Sequence, residues 1–447
     1  MKKRLLLTGC VFFVSLNALA FDPLSVFNTQ SPQGCIDKDI TQNKIGLPEL
    51  LEIGFCNNPM LNKGYMQVKT SQAELGSAKS EYLPSVNVDG SLSKTYSNGE
   101  EFSSFETDPY SANIGLSWLI YDFGGRSARL EREKKYLDAA GFQYNALLKD
   151  TFLSINNAYF ELLGAQEILK SAKTSEASFK KSFEESSKRY ELGLVSLSDK
   201  LLAKTSYEES RLEVVQAENQ VKTSQGKLAM LLNVSPETKF NLLKPKNDKD
   251  LTKLEMGDMP VSEMIETALT LRPEIQKSQK DVEAAVANVK VQKAAALPKI
   301  SFSAKMGMND DWRKESLYQY GSSVGINVSV PLFTGFSDTY KIKQAEYQKE
   351  QAFFSKEDVT QTVKNEVWTA YHNYKTAVSS YDISKKALES AKENERVAFA
   401  SYQVGKGDIL NLLTAGSQLS TARKEVIVAY YSVLTSKATL YRAIGRF

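Results

Sequence analysis

The sequence predicts a mainly α protein with membrane β-strands, built from two copies of one plan. Three observations lead there: an internal repeat, four strands of strict alternation, and two helical segments too long for a globular core. The repeat is clearest at Arg189–Asn233, which lies without a gap on Ser401–Gly445. Tyr190 falls on Tyr402, Gly193 on Gly405, Leu201 on Leu413, Ala203 on Ala415 and Arg211 on Arg423. Such self-similarity marks one structural unit used twice.

The first twenty residues read as a signal peptide. Lys2, Lys3 and Arg4 form a basic start, Leu5 to Leu16 an apolar stretch, and Ala18-Leu-Ala20 a small-residue cleavage site. Leu7-Thr-Gly9-Cys10 resembles a lipidation box, but cutting there leaves an apolar core too short for a signal. Residues 21–47 then make an N-terminal periplasmic segment.

The duplication extends over almost all of the mature chain. Glu49–Glu52 and Pro59 match Glu263–Glu266 and Pro273, and Leu83-Pro84 matches Leu297-Pro298. Tyr110, Gly115, Phe123 and Gly125 match Tyr320, Gly325, Phe333 and Gly335, and Ala158-Tyr159 matches Ala370-Tyr371. The halves run over 48–233 and 261–447, each read as helix, two strands, long helix, glycine turn and helix. Between them, 234–260 is punctuated by Pro236, Pro245, Gly257 and Pro260 and reads as a loop-rich belt at mid-height.

The strands are expected at about 85–96, 110–121, 299–308 and 320–331. Val86, Val88 and Leu92 alternate with Asn and Asp, and Ile300, Phe302, Ala304 and Met306 with Ser and Lys. Ile114, Leu116, Trp118 and Ile120, and Val324, Ile326, Val328 and Val330, do the same. A period of two gives each strand one apolar and one polar face. A half-buried soluble hairpin has this pattern too. The length, about the 9–11 residues that cross a bilayer obliquely, and the signal peptide favour membrane strands. Four strands cannot close a useful barrel, and lipid does not tolerate open edges. Other chains must therefore complete the sheet, and three copies would supply twelve strands.

The segments Gly125–Gly193 and Gly335–Gly405 would each be about 100 Å long as helices, at 1.5 Å per residue. Their apolar positions alternate four and three, as in Leu148, Phe152, Ile155, Tyr159, Leu162 and in Val363, Val367, Ala370, Tyr374, Ala377, Tyr381. That is coiled-coil spacing. The helices Ser196–Asn233 and Val261–Leu297 are half as long and, stacked end to end, equal one long rod. Asp408–Arg446 and Pro48–Leu83 make a second such pair.

Composition excludes several classes. The signal holds three basic residues and no acid, so the rest of the chain balances 53 basic against 53 acidic residues. A neutral chain offers no electrostatic footprint for nucleic acid. With one histidine, His372, and with Cys35 and Cys56 the only cysteines after the signal, zinc sites and Ser-His or Cys-His catalysis have little material. Neither cofactor nor enzymatic chemistry is expected. In an oxidising compartment Cys35 and Cys56 are expected to form a disulfide, two buried free thiols being the other reading.

These residues resemble the TolC family of outer-membrane channel proteins over essentially the whole mature chain. The resemblance rests on Arg189-Tyr-Glu-Leu-Gly-Leu-Val-Ser-Leu-Ser-Asp199 and its twin Tyr402-Gln-Val-Gly-Lys-Gly-Asp408. It also rests on Tyr121-Asp-Phe-Gly-Gly-Arg126 and Pro331-Leu-Phe-Thr-Gly335, in this duplicated order. It implies a homotrimer with a twelve-stranded barrel in outer-membrane lipid and a tunnel of helices in the periplasm. It further implies an exit duct served by a periplasmic membrane-fusion adaptor and an inner-membrane ABC or RND-type transporter, for drugs or for type I secreted proteins.

By the same resemblance the tips Gly193-Leu194-Val195-Ser196 and Gly405-Lys406-Gly407 face the adaptor. Ser198 and Asp199 fall where the family has a Thr/Ser-Asp pair that helps close the entrance, and Tyr402 falls on its tyrosine partner. The family's arginine falls on Gly407, which leaves adjacent Lys406 as a substitute. The acids that narrow the entrance in some members fall on Asn411 and Thr414. Asp408 is the only nearby acid, so the resemblance implies weaker cation selectivity or a ring moved to Asp408. The competing reading is a periplasmic coiled-coil tether or adaptor without a channel; it does not account for paired amphipathic strands inside a duplicated frame.

Overall fold

Both halves of the chain begin with two short helices rather than one. In the computed structural model, which describes residues 44–97, 105–107, 109–245, 259–311 and 319–446, these are α1 (Leu47–Asn57) and α2 (Pro59–Ser80). They lead into β1 (Ser85–Leu92), short β2 (Thr95–Ser97) and β3 (Phe105–Thr107), and β4 (Pro109–Tyr121). The chain then runs out along α3 (Gly125–Glu191) and back along α4 (Leu197–Leu232). The second half comprises α5 (Val261–Leu271), α6 (Pro273–Ala295), β5 (Lys299–Asp311), β6 (Gln319–Ser329), α7 (Ser337–Gln403) and α8 (Ile409–Ile444). The signal peptide, Cys35 and residues 246–258 of the belt lie outside the described residues.

The sequence reading gives a single helix ahead of each strand pair, and proline is why there are two. A residue before proline is pushed out of helical geometry. Asn58 and Arg272 accordingly hold ψ of 119° and 127°, and Pro59 and Pro273 open α2 and α6. Proline suits that first position, where no intrahelical N–H bond is lost.

The duplication is closest in the long helices. α3 and α7 have 67 residues each, about 100 Å at 1.5 Å per residue, and α4 and α8 have 36 each. One sequence pairing shifts. Phe123 and Gly125 match Phe333 and Gly335 by letter, but the left-handed residues before the helices are Phe123-Gly124 and Gly335-Phe336. The turn needs two such residues immediately before helix N1, and glycine can hold either place.

The strands form one antiparallel sheet in the order β1-β4-β5-β6. Val88 pairs with Ile114 and Ile114 with Met306, while Phe302 pairs with Ile326, so the apolar residues share one face. No helix covers that face within the protomer. Val88 is 74% exposed, and Val86, Ile114, Met306, Val324 and Val328 are exposed as well. Aromatic residues mark the helix side of the sheet, where Trp118 donates to the Tyr82 carbonyl at 2.9 Å and Arg126 lies over the Tyr82 ring. Arg126 is fixed by Asp122, whose carboxylate accepts from its backbone N–H at 2.6 Å. A half-buried soluble hairpin does not describe this sheet.

The short helices stack differently from the sequence pairing. Asn58, at the start of α2, donates to the Leu231 carbonyl at the end of α4 at 2.9 Å. At the matching joint, Arg442 near the end of α8 pairs with Glu274 at the start of α6, and Gly445 sits against Leu271 and Arg272. Each composite rod is therefore made within one half, α4 with α2 and α8 with α6. Backbone helical pattern sets rod length but not which end meets which. The joints are decided by a cap and an ion cluster.

At mid-height, Ile155, Tyr159 and Leu162 of α3 are buried with Leu50 and Ile53 of α1, Leu228 and Leu232 of α4, and Ile45, Phe240 and Leu242. Ile45 forms a parallel bridge with Leu242, tying the N-terminal segment to residues after α4. A Cβ on Gly54 would lie 2.3 Å from Ile155 Cδ1, so a larger residue there would require the Ile155 side chain to shift. Val363, Val367, Ala370, Tyr374 and Ala377 of α7 make the equivalent core in the second half. Cys56, at the end of α1, is disulfide-bonded.

Candidate functional site

The ends of the two long hairpins lie side by side, at the far end of α3 and α7 from the sheet. Gly193 and Gly405 both have φ of +72°, a region that favours glycine. In each tip the turn closes with the same pair of bonds. Gly193 N donates to Tyr190 O at 2.9 Å and Leu194 N to Arg189 O at 2.8 Å, while Gly405 N donates to Tyr402 O and Lys406 N to Ser401 O. These are the paired bonds of a left-handed helix C-cap.

Beyond each turn the next helix is capped by its own side chains. Ser196 and Asp199 form a reciprocal capping box at 3.1 Å in both directions. Asp408 caps α8 by accepting from Asn411 N at 2.6 Å. Leu192, Leu194 and Val404 project into solvent at the turns, Leu192 at 73% and Val404 at 70% exposure. Above them Phe179, Ala203, Ala398, Tyr402, Ile409, Leu412 and Leu413 join all four helices in one apolar cluster.

The residues singled out from the sequence thus divide into two groups. Gly193, Leu194, Val195 and Ser196, with Gly405, Lys406 and Gly407, form adjacent turns. Asp408 and Asn411 are brought together, but as cap and first turn. Ser198 is exposed, Asp199 is engaged in its own capping box, and neither bonds to Tyr402 within the protomer. Tyr402 is 2% exposed, and its buried hydroxyl has no hydrogen-bond partner among the described residues. Lys406 is exposed and makes no ion pair among the described residues.

A residue without an assigned role in the sequence makes the contact instead. Arg189, at the end of α3, donates to the Gln403 carbonyl at 2.7 Å, and its guanidinium lies 4.6 Å from the Tyr402 ring centroid. Glu185, one turn earlier, holds the guanidinium from behind at 3.4 Å. The signal was present in the repeat: Arg189 falls on Ser401, so only one of the two helix ends can make this bridge. Nothing local identifies its target, which lies 214 residues away.

A family described as outer membrane efflux protein matches residues 50–234 and 264–446, the two halves found above. The chain belongs to the outer membrane efflux protein family. It is similar to protein CyaE of Bordetella pertussis, with 28% identity over 90% of this chain and 84% of that one. It is also similar to the outer membrane protein TolC of Escherichia coli, with 24% identity over 87% of this chain and 80% of the relative. Among solved structures, the outer-membrane channel OprN superposes with a TM-score of 0.78 at 22% identity, covering 90% of each chain. The Campylobacter jejuni CmeC outer membrane channel gives 0.77 at 19% identity, covering 93% of this chain and 90% of that one.

As a member of the outer membrane efflux protein family, the chain is an outer-membrane channel protein, with its helical part in the periplasm. Among the described residues no helix is long and apolar enough to cross a membrane. The channel reading displaces the coiled-coil tether without a channel.

Proposed function

We propose that three copies of this chain close a twelve-stranded barrel and form the exit duct of a tripartite export system. The observation that carries the reading is the sheet. Among the described residues its two outer strands, β1 and β6, lack a partner on one side, and its apolar face is bare. An open, apolar-faced sheet is costly both in water and in lipid, and closing it on identical copies removes the edges. The helical rods then enclose a periplasmic tunnel.

The tips are the regulated entrance in this reading. A membrane-fusion adaptor docks on Gly193–Ser196 and Gly405–Gly407, where Leu192, Leu194 and Val404 offer apolar surface beside open glycine turns. An inner-membrane ABC or RND-type transporter loads the duct. Relatives named for alkaline protease secretion in Pseudomonas aeruginosa and for toluene efflux in Pseudomonas putida support both cargo classes.

A cysteine placed at Lys406 tests the assembly in cells. Crosslinking should trap an adaptor at the tip, and outer-membrane extracts should yield a heat-modifiable trimer that conducts in planar bilayers. A monomer without conductance would overturn the duct.

A further inference from the structure

The polar face of the sheet is built almost throughout from short, uncharged side chains. One level across it carries Asn87, Gly115, Lys305 and Ser323, and the next carries Asp89, Asn113, Gly307 and Gly321. On the other side of Lys305 the level is Ser85, Ser117, Ser303 and Gly325. Lys305 stands halfway along β5, exposed, with no hydrogen bond or ion pair among the described residues. Asp89 is the one acid among the described side chains of this face, and its carboxylate is already bound by the Asn87 amide at 2.5 Å. Asn113 lies flat across Gly307, where a Cβ would meet its Oδ1 at 2.1 Å. The wall around Lys305 is therefore low, and its side chain is the long one that rises from it. A second lysine, Lys299, opens β5 on the same face at the helix end.

We propose that Lys305 forms a ring of positive charge in the barrel lumen and favours passage of anionic cargo, bearing carboxylate or phosphate groups. The inference rests on the reading that three chains close the barrel. With the apolar face toward lipid, the polar face lines the lumen. Twelve strands about 4.8 Å apart and tilted about 40° make a cylinder roughly 24 Å across. Side chains reaching roughly 6 Å inward place three ammonium groups about 10 Å from one another. The axis then lies within about one Debye length, about 8 Å at physiological salt, of each charge. Fields from the three lysines overlap there, while the Asp89 carboxylates keep their charge one level away but are short and held along the wall by Asn87, so the lysines alone reach toward the axis.

The test uses the full-length protein in planar bilayers with inorganic tripolyphosphate added on the barrel side. Wild type should show current block that weakens as salt rises. Lys305→Gln should lower the apparent affinity for the blocker about tenfold, and Lys305→Glu should abolish block and shift the reversal potential in a salt gradient toward cations. Lys299→Gln, at the rim, should have a smaller effect. Channels of normal conductance whose block and reversal potential do not change in Lys305→Gln overturn the proposal alone. Absence of any conducting species from wild type overturns the closed barrel on which it stands.

Discussion

Arg189 and Tyr402 couple the two hairpins of one protomer, with the guanidinium of the first stacked 4.6 Å from the ring centroid of the second. The same guanidinium donates to the next carbonyl, Gln403 O, at 2.7 Å. One planar group thus engages a ring face and a helix C-terminus together, which lysine cannot reproduce in full. A helix C-terminus is also the end that favours a cation.

Removing this coupling should loosen the entrance. A cation–π contact at a partly exposed site contributes about 0.5–1 kcal/mol, and a charged hydrogen bond about 1.5 kcal/mol or more. Arg189→Ala should therefore raise the open fraction of single channels by about thirtyfold or more, with each 1.4 kcal/mol worth a factor of ten. Arg189→Lys should fall between. Conductance equal to wild type in Arg189→Ala would remove Arg189 from the closing mechanism.

Reinstating an arginine beside the tip meets a local obstacle. A Cβ at Gly407 would stand 3.2 Å from Ser401 Cβ and from Tyr402 N, tighter than ordinary packing. Gly407→Arg should therefore disturb the turn. We expect reduced export and a lower melting temperature, whereas Lys406→Arg, at an exposed position, should leave stability unchanged. Export assays and thermal scans of purified trimers compare the two.

The joint between α4 and α2 depends on one side chain. Asn58 Oδ1 accepts from Met60 N at 2.9 Å and from Leu61 N, while its amide donates to Leu231 O. Asn58→Ala should cost about 1–2 kcal/mol through the lost cap, with the Leu231 carbonyl losing its donor as well. Asn58→Asp keeps the cap and loses only the donor, so it should destabilise less. Equal midpoints for the two variants in denaturant would show that the cap contributes nothing, and an Asn58→Asp midpoint equal to wild type would show the same of the inter-rod bond.

The matching joint in the second half is ionic and should respond to acid. Burial alone would raise Glu274, but hydrogen bonds from Arg272 and the charge of Arg442 override it and hold the carboxyl at about 2. Its folded value lies below the usual 4.5, so its contribution is present above that pH and is lost as pH falls toward about 2. Thermal stability should fall over that window. Glu274→Gln should flatten the acid dependence and lower stability at neutral pH, because Arg272, 3% exposed, keeps only Glu366 as an acidic partner among the described residues. A profile identical to wild type would exclude this cluster as the acid-sensitive joint.

Much of this architecture was legible along the chain. Val86, Val88 and Leu92 set a period of two, and Ile155, Tyr159 and Leu162 the four-three spacing of a coiled coil. Both patterns report which face is apolar, and that is a local property. Gly193 and Gly405 fixed the tips because few other residues tolerate their φ. Local pattern also misplaced some features. It read through Asn58-Pro59 and Arg272-Pro273 as continuous helix, and it joined the short rods across the two halves.

By itself, then, the sequence determined the duplicated plan, the membrane strands, the length of the rods and the position of the turns. Each follows from backbone geometry and the periodic burial of neighbouring residues. Only the tertiary structure decided that α4 meets α2 and α8 meets α6, and that Asp199 caps its own helix while Arg189 reaches Tyr402. Those contacts join residues far apart in the chain. Their energies depend on distance and direction in space, which no spacing along the sequence records.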